Sequence, residues 1–103
     1  MNLEALKSVI FTDNFKITLH ALNEMMEDSV SLYELKKSIQ GGDIIEDYPS
    51  SKPLPACLIL SFNSQNKPIH SVWAYDDTSS RAILVTVYRP NPEKWVKYKK
   101  RKN

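Results

Sequence analysis

The stretch from Lys67 to Pro90 constrains the fold more than any other. It reads KPIHSVWAYDD, then TSS, then RAILVTVYRP. Two runs rich in β-branched and aromatic residues flank a polar turn, the pattern of a β-hairpin. Antiparallel pairing about a turn at Asp76–Arg81 brings the start of the first run beside the end of the second. His70 therefore becomes a neighbour of Tyr88 and Arg89. Strand parity places His70, Val72 and Ala74 on one face, with Ile69, Ser71, Trp73 and Tyr75 on the other. In the second run Ile83, Val85, Val87 and Arg89 read as the helix-packed side, and Leu84, Thr86 and Tyr88 as the more open one. A slip of one residue would put His70 beside Arg89 instead of Tyr88, and the register stays open at this point.

The rest of the chain supplies the elements that cover such a hairpin. Leu3, Leu6, Val9 and Ile10 have helical spacing, so the reading predicts a helix over Leu3–Phe11. Thr18 is placed to cap a second helix, Leu19 to about Asp28, with Leu19, Leu22, Met25 and Met26 as its inward stripe and His20 turned away from it. Ser31 and Glu34 have capping-box form for a third helix, Leu32–Gln40. Gly41-Gly42 ends that helix, in the left-handed conformation expected of glycine there. Strands follow at Asp43–Tyr48 and at the almost wholly apolar Ala56–Phe62, separated by a proline-rich loop. Asn91 and Pro92 predict a last helix, Pro92 to about Lys100, anchored by Trp95 and Tyr98. The order gives one α+β domain over residues 1–103, with N-terminal helices on one face of a four-stranded antiparallel sheet and a short basic C-terminal helix.

Charge is unevenly distributed. From Glu93 onward six Lys/Arg stand against one Glu, a balance of +5. The body keeps eight basic against eleven acidic residues, −3. The tail reads equally as a phosphate-binding feature and as a solvated terminus. The single cysteine, Cys57, lies in an apolar strand, so a buried thiol in a reducing cytoplasm is expected. No apolar run reaches membrane-spanning length, and no signal-peptide pattern is present.

The sequence has no Gly-rich phosphate loop, no Cys or His pair at metal-ligand spacing and no nucleophile elbow. Neither a metal nor another cofactor is expected. What remains is His20, His70, Tyr88, Arg89, Arg81, Lys67 and the tail, including Lys97 and Lys100. Imidazole titrates near neutrality and can both take and give a proton. RNA cleavage by 2′-hydroxyl attack needs that ability together with cations to stabilise the phosphorane.

Several positions carry a family resemblance: Ile17-Thr-Leu-His20-Ala21, Met26, Val30-Ser31 with Glu34 and Leu35, Gly42, Ile45, Tyr48, Pro68-Ile-His70-Ser-Val72, Thr86-Val87-Tyr88 and Pro90. Over roughly residues 15–92 the chain resembles the small bacterial domain-of-unknown-function family 4258, which is itself similar to the RelE-like and MqsR-like toxins of toxin–antitoxin systems. The resemblance implies helices ahead of a four-stranded antiparallel sheet, cleavage of messenger RNA, and neutralisation by an antitoxin, often a zinc-finger protein. It places His20, His70 and Tyr88 at the family's recurring polar positions. The chain departs from the pattern where an arginine of the early helix is replaced around Met25-Met26-Glu27-Asp28, leaving carboxylates that would repel RNA.

The expectation is thus a cytoplasmic, metal-independent endoribonuclease acting on single-stranded or ribosome-bound RNA. His70 serves as base or acid, His20 as its partner, and Tyr88 as proton donor or phosphate ligand. Arg89, Arg81, Lys67, Lys97 and Lys100 provide phosphate contacts, and Trp73 or Tyr75 a stacking surface. The alternative is a non-catalytic module or degenerate toxin that works by engaging a protein partner. Convergence of His20, His70 and Tyr88 in an open cleft distinguishes the two.

Overall fold

The hairpin forms as β4 (Pro68–Asp76) and β5 (Arg81–Tyr88), and its register pairs His70 directly with Tyr88 and Asp76 with Arg81. The structure is a computed structural model and describes residues 1–103. β3 (Ala56–Phe62) pairs with β4, and β2 (Asp43–Tyr48) with β3, both antiparallel. A short strand, β1 (Phe15–Ile17), adds to the far side of β5 in parallel. The sheet is therefore five-stranded and mixed, in the order β1-β5-β4-β3-β2, not four-stranded and antiparallel. The α+β class holds. The extra strand escapes the sequence pattern because its pairing partner lies far along the chain and its length is below that at which alternation is readable.

Three helices cover one face: α1 (Leu3–Phe11), α2 (Leu19–Glu27) and α3 (Leu32–Ile39). Each begins on the side chain that caps it. Asn2 accepts from the Ala5 amide, Thr18 from Ala21 and Ser31 from Glu34, all at 3.0 Å. Leu6 and Ile10 of α1, with Leu35 and Ile39 of α3, bury against Cys57, Ile59, Ile69, Trp73, Leu84 and Val87 of the sheet. Trp73 is the largest fully buried side chain. Its indole N–H donates to Ser71 Oγ at 3.0 Å, and Phe15 of β1 packs edge-on against it at 5.7 Å. Its burial removes it as a stacking surface for a base.

A bulge explains why Leu84 and Val87 share the core face. Val72 pairs with Thr86 but Trp73 pairs with Leu84, so Val85 stands unpaired and the parity of β5 flips there. Ala82 and Leu84 point inward before the bulge and Val87 after it, in place of the uniform Ile83/Val85/Val87 face read from the sequence. Gly42 also has another reason than the one expected. Neither glycine has positive φ. A Cβ on Gly42 would lie 2.8 Å from Ile59 Cγ2 and 3.2 Å from the Ile39 carbonyl, so the turn from α3 into β2 needs the space and not the left-handed conformation.

The basic C-terminal helix is absent. Residues 95–101 instead form a small antiparallel hairpin of β6 (Trp95–Val96) and β7 (Lys100–Arg101), with Lys97 and Tyr98 at positive φ in its turn. A helix here would stack lysines three and four residues apart and leave Trp95 in solvent. The hairpin buries Trp95 against the helix-free face of the sheet. No helix is long and apolar enough to cross a membrane.

Candidate functional site

On the helix-free face His70 is fully buried and both ring nitrogens are engaged. Nε2 lies 2.7 Å from the Tyr98 carbonyl, which can only accept, so the ring proton sits on Nε2. Nδ1 is then the acceptor for the Tyr88 hydroxyl at 3.2 Å. The Trp95 ring stands edge-on to the imidazole at 4.5 Å and the Tyr88 ring at 5.3 Å. Burial holds the His70 pKa below the ordinary imidazole value, only partly opposed by the Tyr98 carbonyl and by the Glu46 charge. His70 is therefore neutral at neutral pH. Burial likewise pushes the Tyr88 hydroxyl up.

Around this pair stand groups the sequence reading did not select. Glu46 of β2 takes a bidentate ion pair from Arg101, Nε at 2.9 Å and Nη2 at 3.1 Å, and accepts a hydrogen bond from Tyr48. Against the pull of burial, the hydrogen bonds from Arg101 and Tyr48 hold the Glu46 carboxyl below the usual carboxylate range. Arg101 also lies over the Trp95 ring, 4.7 Å from its centroid. Glu46 and Tyr48 face Leu58 and Ala56 across the ladder, and these face Val72 and Ala74 on the His70 side. Parity within DIIEDY pairs Glu46 with Tyr48, a usable signal. The role of Arg101 was masked by its place in a run of cations.

His20 does not join this cluster. Its side chain is 70% exposed on α2, with Nε2 3.1 Å from Glu24 Oε1 and 3.4 Å from Thr86 Oγ1. Thr86 shares the face of Tyr88 two residues away, about 7 Å along the strand. His20, Tyr88 and His70 thus line up across the sheet, but His70 lies beneath the C-terminal hairpin and the three do not surround one open cleft.

The expected phosphate ligands are scattered. Arg81 pairs with Asp76 at the closed end of the hairpin, seven residues and roughly 20 Å from Tyr88. Lys97 and Lys100 are exposed on the C-terminal hairpin. Arg89 is occupied: Nε donates to the Asp28 carbonyl and Nη2 to the Ser29 carbonyl, each at 3.1 Å, and Nη2 pairs with Glu34 at 3.1 Å. It caps the C-terminal end of α2, a favourable place for a cation. Lys67 and Arg89 do meet, in a cleft between α3 and the β3–β4 turn.

The carboxylates of α2 are also committed. Glu24 accepts from the Val87 amide at 3.1 Å and from the Thr86 hydroxyl, and Asp28 accepts from the Arg89 amide at 2.9 Å. Thr18 donates to the Val85 carbonyl at 3.0 Å. These side chains continue along β5 where β1 ends, so Glu24 and Asp28 serve as ladder partners of the strand. α2 differs from its predicted register in another way. Only Ala21 and Met25 are buried, while Leu19, Leu22 and Met26 face outward.

Cys57 is buried in the core and its thiol is pushed up to about 12 by desolvation, so it is unreactive near neutral pH. Nowhere do three or more His, Cys, Asp or Glu side chains gather as metal ligands. No curated protein and no solved structure matches the chain. A family model described as "Domain of unknown function (DUF4258)" matches residues 17–89, which include His20, the buried His70–Tyr88 pair and Arg89, and the chain belongs to that family.

Proposed function

We propose that this chain is a non-catalytic protein-binding module on a RelE-like, toxin-type frame, working in the reducing cytoplasm and engaging an antitoxin-like partner through α2. The observation that carries this reading is the outward stripe of α2. Leu19 and Met26 are each 73% exposed and Leu22 46%, at spacings of three and four residues that align on one side of the helix. Large apolar side chains aligned this way are anchors for an apolar groove or a second amphipathic helix. Met26 adds a side chain that adapts its shape to a partner. Glu27 is exposed beside the stripe, so the matching segment is amphipathic with basic flanks. The occupied state of His70 supports the same conclusion, because a buried imidazole with both nitrogens bonded cannot reach a substrate proton.

The test is co-expression with the product of the reading frame next to this chain's gene, followed by a measured Kd for the purified pair. Leu19→Asp with Met26→Asp should weaken the complex by a hundredfold or so, the loss of two buried anchors at about 1–3 kcal/mol each. A complex of undiminished affinity would sink the assignment to α2.

The endoribonuclease reading has one observation in its favour: Glu46, His70, Tyr88 and Arg101 are gathered beneath a hairpin whose two strands have two residues each. Were the hairpin displaced, neutral His70 would take the 2′-OH proton and Tyr88 would give its proton to the leaving 5′-oxygen, so neither acid nor base comes from the hairpin itself. The chain ending at Pro92, with its fold checked by circular dichroism, should then cleave RNA, and His70→Ala and Tyr88→Phe in that background should abolish the cleavage. An inactive but folded short chain removes this reading.

A further inference from the structure

We propose that the cleft between α3 and the β3–β4 turn binds a ligand carrying a phosphate and a planar aromatic ring, of nucleotide type. The cleft has a volume of about 720 Å³, the size of a small-molecule site. Three cations line it, Lys37, Lys67 and Arg89, against one carboxylate, Glu34. That carboxylate is already used: it takes Asn63 Nδ2 at 2.7 Å and Arg89 Nη2 at 3.1 Å. Neither Lys37 nor Lys67 enters any ion pair. The balance of charge in the cleft is therefore positive and unanswered.

A second observation points the same way. Arg89 Nη1 is a buried nitrogen with no hydrogen-bond partner. The other donors of this guanidinium are spent on the end of α2 and on Glu34, so the remaining group is an orphan on a residue that lines the cleft. A phosphate oxygen is the acceptor that suits it, since guanidinium donors match phosphate geometry.

The rest of the cleft is arranged to present these cations. Asn63 Oδ1 accepts from the Gln65 and Lys67 amides, both at 2.9 Å, and the Asn63 amide donates to the Lys67 carbonyl at 3.0 Å. The turn that carries Lys67 is thus fixed before any ligand arrives. Lys37 lies 5.8 Å from the centroid of the Tyr33 ring, and Tyr33 and Phe62 are both exposed at the cleft. An aromatic ring beside two free ammonium groups offers a face for a base next to the charges for its phosphate. Pyrophosphate or sulfate would use the cations but leave the aromatic faces idle. The site is separate from the α2 stripe and does not depend on partner binding there.

The chemistry is shared by a free nucleotide and by the phosphorylated end of a single strand, and titration separates the two. AMP, inorganic phosphate and a 5′-phosphorylated five-nucleotide RNA are each titrated into the full chain, followed by amide chemical shifts and by Kd. Binding of AMP with shifts at Tyr33, Asn63 and Lys67 establishes a free-nucleotide site. Binding of the RNA alone, with the same shifts, assigns the site to a strand end. In either case Lys37→Glu and Lys67→Glu, both surface changes that leave the core intact, should each weaken binding at least about tenfold, the loss of one charge-assisted contact. Tyr33→Ala should weaken AMP more than phosphate. Absence of binding by all three probes overturns the proposal. So does binding that survives the double lysine variant, or that disappears only when residues 97–103 are removed.

Discussion

On one face of the sheet Leu6, Ile10, Leu35 and Ile39 interlock with Ile59, Trp73 and Leu84, and the buried polar atoms are few and, Arg89 Nη1 excepted, satisfied, as in the Ser38–Ser61 hydroxyl pair at 2.9 Å. On the other face Leu58, Leu60 and Ala74 are buried, but His70, Tyr88, Glu46 and Arg101 do the joining, and the cover is a hairpin with a single large apolar anchor, Trp95. The first face is closed by area removed from water, which is insensitive to geometry and pH. The second is closed by a few directional contacts, each of which can be cancelled by one atom or one proton. The two covers should therefore fail separately. A chain that loses the first loses its fold, whereas a chain that loses the second keeps its sheet and exposes a polar-aromatic surface.

The strongest challenge to this contrast is Trp73→Ala. Removing the largest buried side chain leaves a cavity under α1 and should cost about 3–5 kcal/mol, read as a large fall in the denaturant midpoint. A loss near 1 kcal/mol would mean the helical face is not the main source of stability. His70→Ala comes next, at about 1–3 kcal/mol, because it strands the Tyr98 carbonyl and the Tyr88 hydroxyl. Hydrogen exchange should then rise in residues 94–102 while β3 and β4 stay protected; equal loss of protection everywhere would show that the two covers are one unit.

Acid provides a gentler form of the same change. The folded-state pKa of His70 lies below its unfolded value of 6.5, so the unfolded chain takes up the proton first. Its contribution is complete above about pH 6.5 and declines as the pH falls toward the lowered folded-state value. Glu46 acts in a more acid window: its pKa is lowered from 4.5, so its contribution fades only as the pH drops through that range. Thermal melts at successive pH values should show the first decline in wild type and not in His70→Phe. Smallest of all is Lys100→Ala, an exposed change on the hairpin that should shift stability by less than about 0.5 kcal/mol. A larger effect would give the Lys100 side chain a structural role that its exposure does not suggest.

The contrast between the faces also marks what could be read in advance. The helix-covered face was legible: Thr18 and Ser31 announce their helices, and the strands at Asp43–Tyr48 and Ala56–Phe62 end where turn residues require. That His70 meets the Tyr88–Arg89 end of β5 follows from the turn position, whereas the choice of Tyr88 as its partner is a matter of register that the sequence leaves open. The other face was obscure because its elements depend on distant partners. Trp95 gains burial only by meeting His70, a contact that no local pattern encodes. The bulge at Val85 leaves no sign in a run of β-branched residues. Helical periodicity located the apolar residues of α2 but could not tell a stripe that meets the core from one that meets solvent, so Leu19, Leu22 and Met26 were assigned inward.

The side chains aligned along β5 have an effect on how the molecule associates. With Thr18, Glu24 and Asp28 holding outward backbone groups of β5 and β1 pairing with the remainder, this border of the sheet offers only the outer edge of the three-residue β1. The opposite border, β2, keeps an open row of amides and carbonyls but carries Asp43, Glu46 and Asp47. Arg101 answers Glu46 and the Met1 ammonium answers Asp47, so two copies joined through β2 would have to accommodate Asp43 and keep both pairs intact, which opposes stacking into fibres on that side, while on the other the free edge is only three residues long.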